Sequence, residues 1–103
     1  VAALTEAARR GADAVLVNCA PVSWVEPLLF DLAELPVALG AYGNVGRPCA
    51  DQGWRNDAGA DPQSYVDAAR SWLAAGASII GGCCGIGPEH IKAISDVFGQ
   101  EKY

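Results

Sequence analysis

The stretch Ile79-Ile80-Gly81-Gly82-Cys83-Cys84-Gly85 constrains this chain more than any other. Two apolar residues, ending a short buried strand, run into two glycines, adjacent cysteines and a third glycine. Pro88-Glu89-His90-Ile91 then opens a helix. Neighbouring cysteines are a poor disulfide pair, because closing a ring between them strains the bond. On a regular strand their side chains point to opposite faces. Flanking glycines let the backbone leave the strand path, so that both sulfurs turn towards one point. A point that attracts two thiolates is most simply a soft metal ion, zinc first, with further ligands from elsewhere. Cys19 is the obvious candidate.

Around that stretch, helix and strand patterns alternate. Residues 1 to 10 have helical spacing, with Leu4, Ala7 and Ala8 on one face, and Gly11 suits the helix end. Ala14-Val15-Leu16-Val17 is an apolar run typical of a strand buried on both faces, ending at Asn18-Cys19-Ala20-Pro21. Ser23 and Glu26 have capping-box spacing. The helix they predict carries Val25, Leu28, Leu29 and Leu32, with Pro27 early in it. A second strand is expected over Val37–Tyr42, then a glycine-rich loop without periodicity from Gly43 to about Ala60. Asp61-Pro62 predicts a cap and a first helical proline, for a helix through Val66, Ala69, Trp72 and Leu73 to Gly76. The last helix, from Pro88, is expected to turn Ile91, Ile94, Val97 and Phe98 inwards.

This alternation predicts an α/β fold of parallel βα units. Gly11–Cys19 also echoes Gly76–Cys83: a helix-ending Gly-Ala, an apolar strand, and a cysteine at the strand's carboxyl end. Chemistry in parallel sheets collects at those ends. Cys19, Cys83 and Cys84 all fall there.

At 103 residues, half of them apolar, the chain is one domain at most. A net charge of −5 with only seven Lys and Arg argues against a nucleic-acid surface. No apolar run approaches the roughly 20 residues of a membrane span. Four cysteines without a secretory context read as a metal or reactive site in a reducing compartment, the cytoplasm. The chain has no methionine and begins mid-pattern, as a piece of a longer one would.

Three thiolates on zinc leave one coordination position open, the arrangement of a catalytic site. A thiol entering that position is deprotonated by the metal at neutral pH. Three sulfurs also make the centre electron-rich, which suits alkyl transfer to sulfur better than activation of water. Cys49 is the alternative fourth ligand, which would close the site into a structural one. Taken alone, a strand-end cysteine is more often a core residue. His90 reads as a solvated or hydrogen-bonded helix-start residue rather than a ligand, and Trp72 as core. Trp54 either covers a pocket or anchors its loop.

Asn18-Cys19, Asn44-Val45-Gly46 and Gly81-Gly82-Cys83-Cys84-Gly85-Ile86-Gly87-Pro88-Glu89-His90-Ile91 occur in an order and spacing that resemble the homocysteine S-methyltransferase family. The resemblance spans nearly the whole chain. It implies a (β/α)8 TIM barrel with a zinc-thiolate centre at the strand ends. Residues 1–103 would be the C-terminal portion of that barrel, a single incomplete domain, since a whole barrel takes roughly 250 residues. It further implies Cys19, Cys83 and Cys84 as zinc ligands, with Asn18 and Asn44 beside the homocysteine pocket. The reaction implied is methyl transfer to the thiol of homocysteine or selenohomocysteine, giving methionine in the first case. The small-molecule donor is open among S-adenosylmethionine, S-methylmethionine, betaine and methyl-folate-linked donors. Ile86 and Gly87 stand where relatives commonly carry threonines, and Gly43 where proline is frequent.

Two other readings remain open. One is a truncated, inactive fragment that self-associates and can still bind zinc. The other is a thiol-redox or metal-storage role, disfavoured because no Cys-x-x-Cys spacing is present. Three parallel strands leave two open edges. They are also expected to leave Val15, Val17, Leu39 and Ile80 uncovered. Self-association, or membership of a longer chain, follows from that expectation.

Overall fold

A computed structural model describes residues 2–49, 53–56 and 60–99. In order they form α1 (Ala2–Arg9), β1 (Ala14–Pro21), α2 (Val22–Leu32), β2 (Ala38–Asn44), β3 (Gly46–Cys49) and β4 (Gly53–Asn56). Then follow α3 (Pro62–Ala74), β5 (Ala77–Gly82) and α4 (Pro88–Phe98). Gly11 and Gly76, at φ +104° and +117°, turn α1 into β1 and α3 into β5. A residue with a Cβ takes that left-handed conformation only at a cost, which is why both helix ends carry glycine.

β1, β2 and β5 make a parallel sheet with β2 in the middle, joined by βα crossovers. β3 and β4 form a separate antiparallel pair. The expected featureless loop from Gly43 to Ala60 is therefore corrected: β2 runs on to Asn44, and a hairpin follows. Consecutive right-handed crossovers in one direction place the connecting helices on one face of the sheet. The short axis of the molecule is 19 Å, the thickness of one sheet and one helix layer. Among the described residues no helix is long and apolar enough to cross a membrane.

Strand alternation then decides which residues are core. Val15, Val17, Leu39 and Ala41 point at the helices and are buried with Val25, Leu29, Leu32 and Trp72. This corrects the expectation that Val15, Val17 and Leu39 lie uncovered. Ile80 is partly buried against the same core. The open face is the opposite one, carrying Leu16, Tyr42 and Ile79, all partly exposed. Gly40 lies between two of them; a Cβ there would press on the side chains of Leu16 and Ile79.

Helix starts follow local chemistry in one case and not in another. The Asp61 carboxylate accepts the Ser64 amide at 3.1 Å and the Ser64 hydroxyl at 2.8 Å, with Pro62 at the first helical position. Those bonds from Ser64 hold the Asp61 carboxyl below the usual carboxylate range. α2 instead follows β1 directly, with Pro21 at the cap and no side-chain cap bond. Ser23 thus falls inside the first turn, and the capping box expected from Ser23 and Glu26 does not form. In α4 the inward stripe is His90, Ile94 and Phe98 at i, i+4, i+8. Ile91 and Val97, expected inside, are 45% and 42% exposed.

Candidate metal centre

Cys19 owes its position to a break in strand pairing. β1 pairs with β2 up to Asn18 opposite Tyr42 and resumes with Ala20 opposite Gly43, leaving Cys19 as an extra residue. Its φ is +58°, and it is the only non-glycine residue with positive φ among the described residues. That conformation costs roughly 1–2 kcal/mol for an L-residue. Such bulges re-aim a side chain. Here Cys19 is brought over the end of the middle strand towards Cys83, on the far side. Their Cα atoms are 5.4 Å apart across 64 residues of sequence, and their sulfurs are joined as a disulfide. Cys84 is free, with its sulfur 4.0 Å from that of Cys83.

The cysteine turn hangs on β2. The Cys83 amide donates to the Gly43 carbonyl at 3.0 Å, and the Val45 amide donates to the Cys84 carbonyl at 2.9 Å. Within the turn, the Ile86 amide donates to the Cys83 carbonyl at 3.2 Å. Gly85 has φ +86° and lies against Val45, so a Cβ there would be strained and crowded. A Cβ on Gly82 would overlap the Ile86 side chain. The glycines around the cysteines are thus required by turn geometry and close approach.

The sulfurs of Cys19, Cys83 and Cys84 all lie within 4.8 Å of one another. Tetrahedral zinc, with bonds of about 2.3 Å, separates its sulfur ligands by about 3.8 Å. The Cys83 and Cys84 sulfurs, 4.0 Å apart, stand near that spacing, while Cys19 and Cys83 are closed into the disulfide and have to separate to admit a metal. An all-sulfur donor set suits a soft or borderline ion. Cys19 and Cys83 can bind a metal only as thiolates, so the disulfide and a metal are mutually exclusive. The backbone of Cys49 lies in β3, while its side chain and that of Trp54 lie outside the described residues. His90 is buried, and both ring nitrogens are engaged. Nδ1 accepts the Gly87 amide at 3.1 Å, and Nε2–H donates to the Ala60 carbonyl at 2.5 Å. It is a structural hydrogen-bonding residue, not a solvated one.

Asn18 and Asn44 flank this cluster along the backbone. Asn18 is exposed and lines a cleft of about 310 Å³ together with Leu4, Leu16 and Leu28. Asn44 sits between Gly43 and Val45, the residues that hold the cysteine turn. Its side-chain oxygen is buried and, among the described residues, has no hydrogen-bond partner. One residue beside the site goes unread in the sequence. The Tyr65 hydroxyl accepts the Gly43 amide at 3.0 Å and donates to the Gly81 carbonyl at 2.7 Å. Burial pushes its pKa up to about 12. Its helical spacing with Ala69 and Trp72 marks it as core, and nothing local shows that its hydroxyl has two partners.

The chain matches the family described as Homocysteine S-methyltransferase over residues 1–98. It is 31% identical over 86 residues to Selenocysteine Se-methyltransferase of Brassica oleracea var. italica, covering 79% of this chain and 24% of that protein. Homocysteine S-methyltransferase 2 of Arabidopsis thaliana is 33% identical over 86 residues, covering 79% and 25%. Homocysteine S-methyltransferase YbgG of Bacillus subtilis (strain 168) is 32% identical over 82 residues, covering 77% and 25%. The chain spans about a quarter of the length of these curated relatives.

Proposed function

Because the chain belongs to the homocysteine S-methyltransferase family, we propose that residues 1–103 form the C-terminal part of a (β/α)8 barrel that methylates homocysteine or selenohomocysteine. Zinc is the proposed cofactor, held by Cys19, Cys83 and Cys84, and the cytoplasm is the proposed compartment. The observation that carries this reading is the convergence of three sulfurs, within 4.8 Å, at the carboxyl ends of parallel strands. When bound, zinc lowers the pKa of an incoming thiol and keeps its sulfur nucleophilic. The three cysteines contribute electron density and leave room for one more sulfur. Asn18 and Asn44, on neighbouring strands next to the cysteines, are the proposed residues beside the homocysteine pocket. Both orient the thiol towards a small-molecule methyl donor, and such positioning can account for several kcal/mol of a barrier.

The test is metal binding followed by methyl transfer. The reduced chain is expected to take up about one zinc, and a serine at position 19, 83 or 84 to weaken that binding greatly. Cys49→Ser is expected to leave it intact; an equal loss there overturns the three-ligand assignment. In a complete barrel carrying these residues, Cys83→Ala is expected to abolish homocysteine methylation with the fold retained. Normal turnover by that variant counts against the reading. A second reading, a self-associating inactive fragment, draws on the open sheet face of Leu16, Tyr42 and Ile79. Sedimentation of the 103-residue chain distinguishes it, since a stable monomer removes its basis.

A further inference from the structure

We infer that Tyr65 is a positioning residue for the cysteine turn, gripping the ends of β2 and β5, between which the Cys83–Cys84 turn is hung. The inference rests on the metal reading above. Tyr65 lies on α3, outside the sulfur cluster, yet its hydroxyl bonds to both β2 and β5: it accepts the Gly43 amide and donates to the Gly81 carbonyl. The same Gly43 that gives its amide to Tyr65 gives its carbonyl to the Cys83 amide. Gly81 is two residues before Cys83 on the other strand. The hydroxyl thus sits at the junction where β2 and β5 hand over to the turn, and ties both to one atom.

The ring itself is held on two sides. Trp72 packs against it edge-on at 5.3 Å between centroids, and His90 does so at 5.8 Å. His90 in turn joins Gly87, at the far end of the cysteine turn, to Ala60, just before α3. Both ends of the turn are therefore referred to the same helix, one through the Tyr65 hydroxyl and one through the His90 ring. No glycine at these strand ends can hold its own position by side-chain packing. An outside group must do so, and groups that orient metal ligands typically alter affinity about tenfold to a hundredfold when removed.

The test uses cobalt(II) as a spectroscopic substitute for zinc, on the reduced chain without oxygen. Tyr65→Phe keeps the ring and its neighbours and removes only the hydroxyl. It is expected to weaken cobalt binding at least tenfold and to shift the thiolate-to-cobalt absorption. Val25→Ala, a packing loss on α2, is expected to lower the urea midpoint while leaving affinity and spectrum unchanged. Unaltered cobalt binding in Tyr65→Phe, or losses in both variants that follow stability alone, overturns the inference. No cobalt binding by the unmodified chain overturns the metal reading itself. Should Tyr65→Phe not fold, amide exchange in the unmodified chain decides instead. Gly43 and Cys83 amides are expected to be as protected as that of Ala41, and rapid exchange at both overturns the clamp.

Discussion

Cys19 and Cys83 come from opposite outer strands of the sheet, yet their Cα atoms stand 5.4 Å apart above the end of the strand between them. The bulge at Cys19 closes that gap, since a regular β1 would point its side chains to one face of the sheet or the other rather than over the end of β2. The contact has a direct chemical consequence. Left without reductant, the chain is expected to link Cys19 to Cys83 and leave Cys84 open to alkylation. Peptide mapping by mass spectrometry checks this, and a Cys83–Cys84 link would contradict it.

Among the described residues Trp72 is the largest fully buried side chain. It packs on Tyr65, and a Cβ on Gly43 would come within 2.7 Å of its ring. Trp72→Ala is expected to cost about 3–5 kcal/mol, a large share of the 5–15 kcal/mol typical of a native domain. Urea unfolding measures it. A change below about 1 kcal/mol would mean that α3 is not seated on the sheet as described.

Gly82 and Ile86 are expected to be energetically coupled. Gly82→Ala forces a methyl group into the Ile86 side chain, at a cost of about 1–3 kcal/mol. In an Ile86→Ala background the same change is expected to be milder by about 1 kcal/mol, because the obstructing atoms are gone. A double-mutant cycle reads the difference. Strict additivity would show that the turn relaxes freely and that the glycine is not needed for close approach.

Tyr65 predicts an alkaline limit to stability. Its pKa is raised from 10.0 to about 12 by burial, so the folded state holds the phenol proton where the unfolded chain has lost it. The stabilisation is complete below about pH 10 and disappears as the pH rises from there towards 12. Tyr65→Phe is expected to flatten that slope in urea midpoints measured across the window. An equal slope in the variant assigns it to other groups.

Much of this protein was decided by local sequence, and for local reasons. Helix ends at Gly11 and Gly76, the Asp61-Pro62 start and the apolar runs of β1, β2 and β5 depend on neighbouring residues, through backbone freedom, capping and alternation. The Gly-Gly-Cys-Cys-Gly cluster likewise announces a turn with two sulfurs at a strand end. Tertiary structure decided what depends on distant partners. The Ser23 capping box was pre-empted because β1 runs straight into α2. Ile91 and Val97 face outwards because His90, whose Nδ1 accepts the amide of α4's own cap residue Gly87 and whose Nε2–H donates to the distant Ala60 carbonyl, fixes the rotation of α4. Val15, Val17 and Leu39 are covered because all crossovers fall on one side, a property of strand order that no single strand encodes. The hydroxyl of Tyr65 finds Gly43 and Gly81 only once β2 and β5 lie side by side. Residues 22 and 16 positions apart share one oxygen there, and only the packed sheet brings them together.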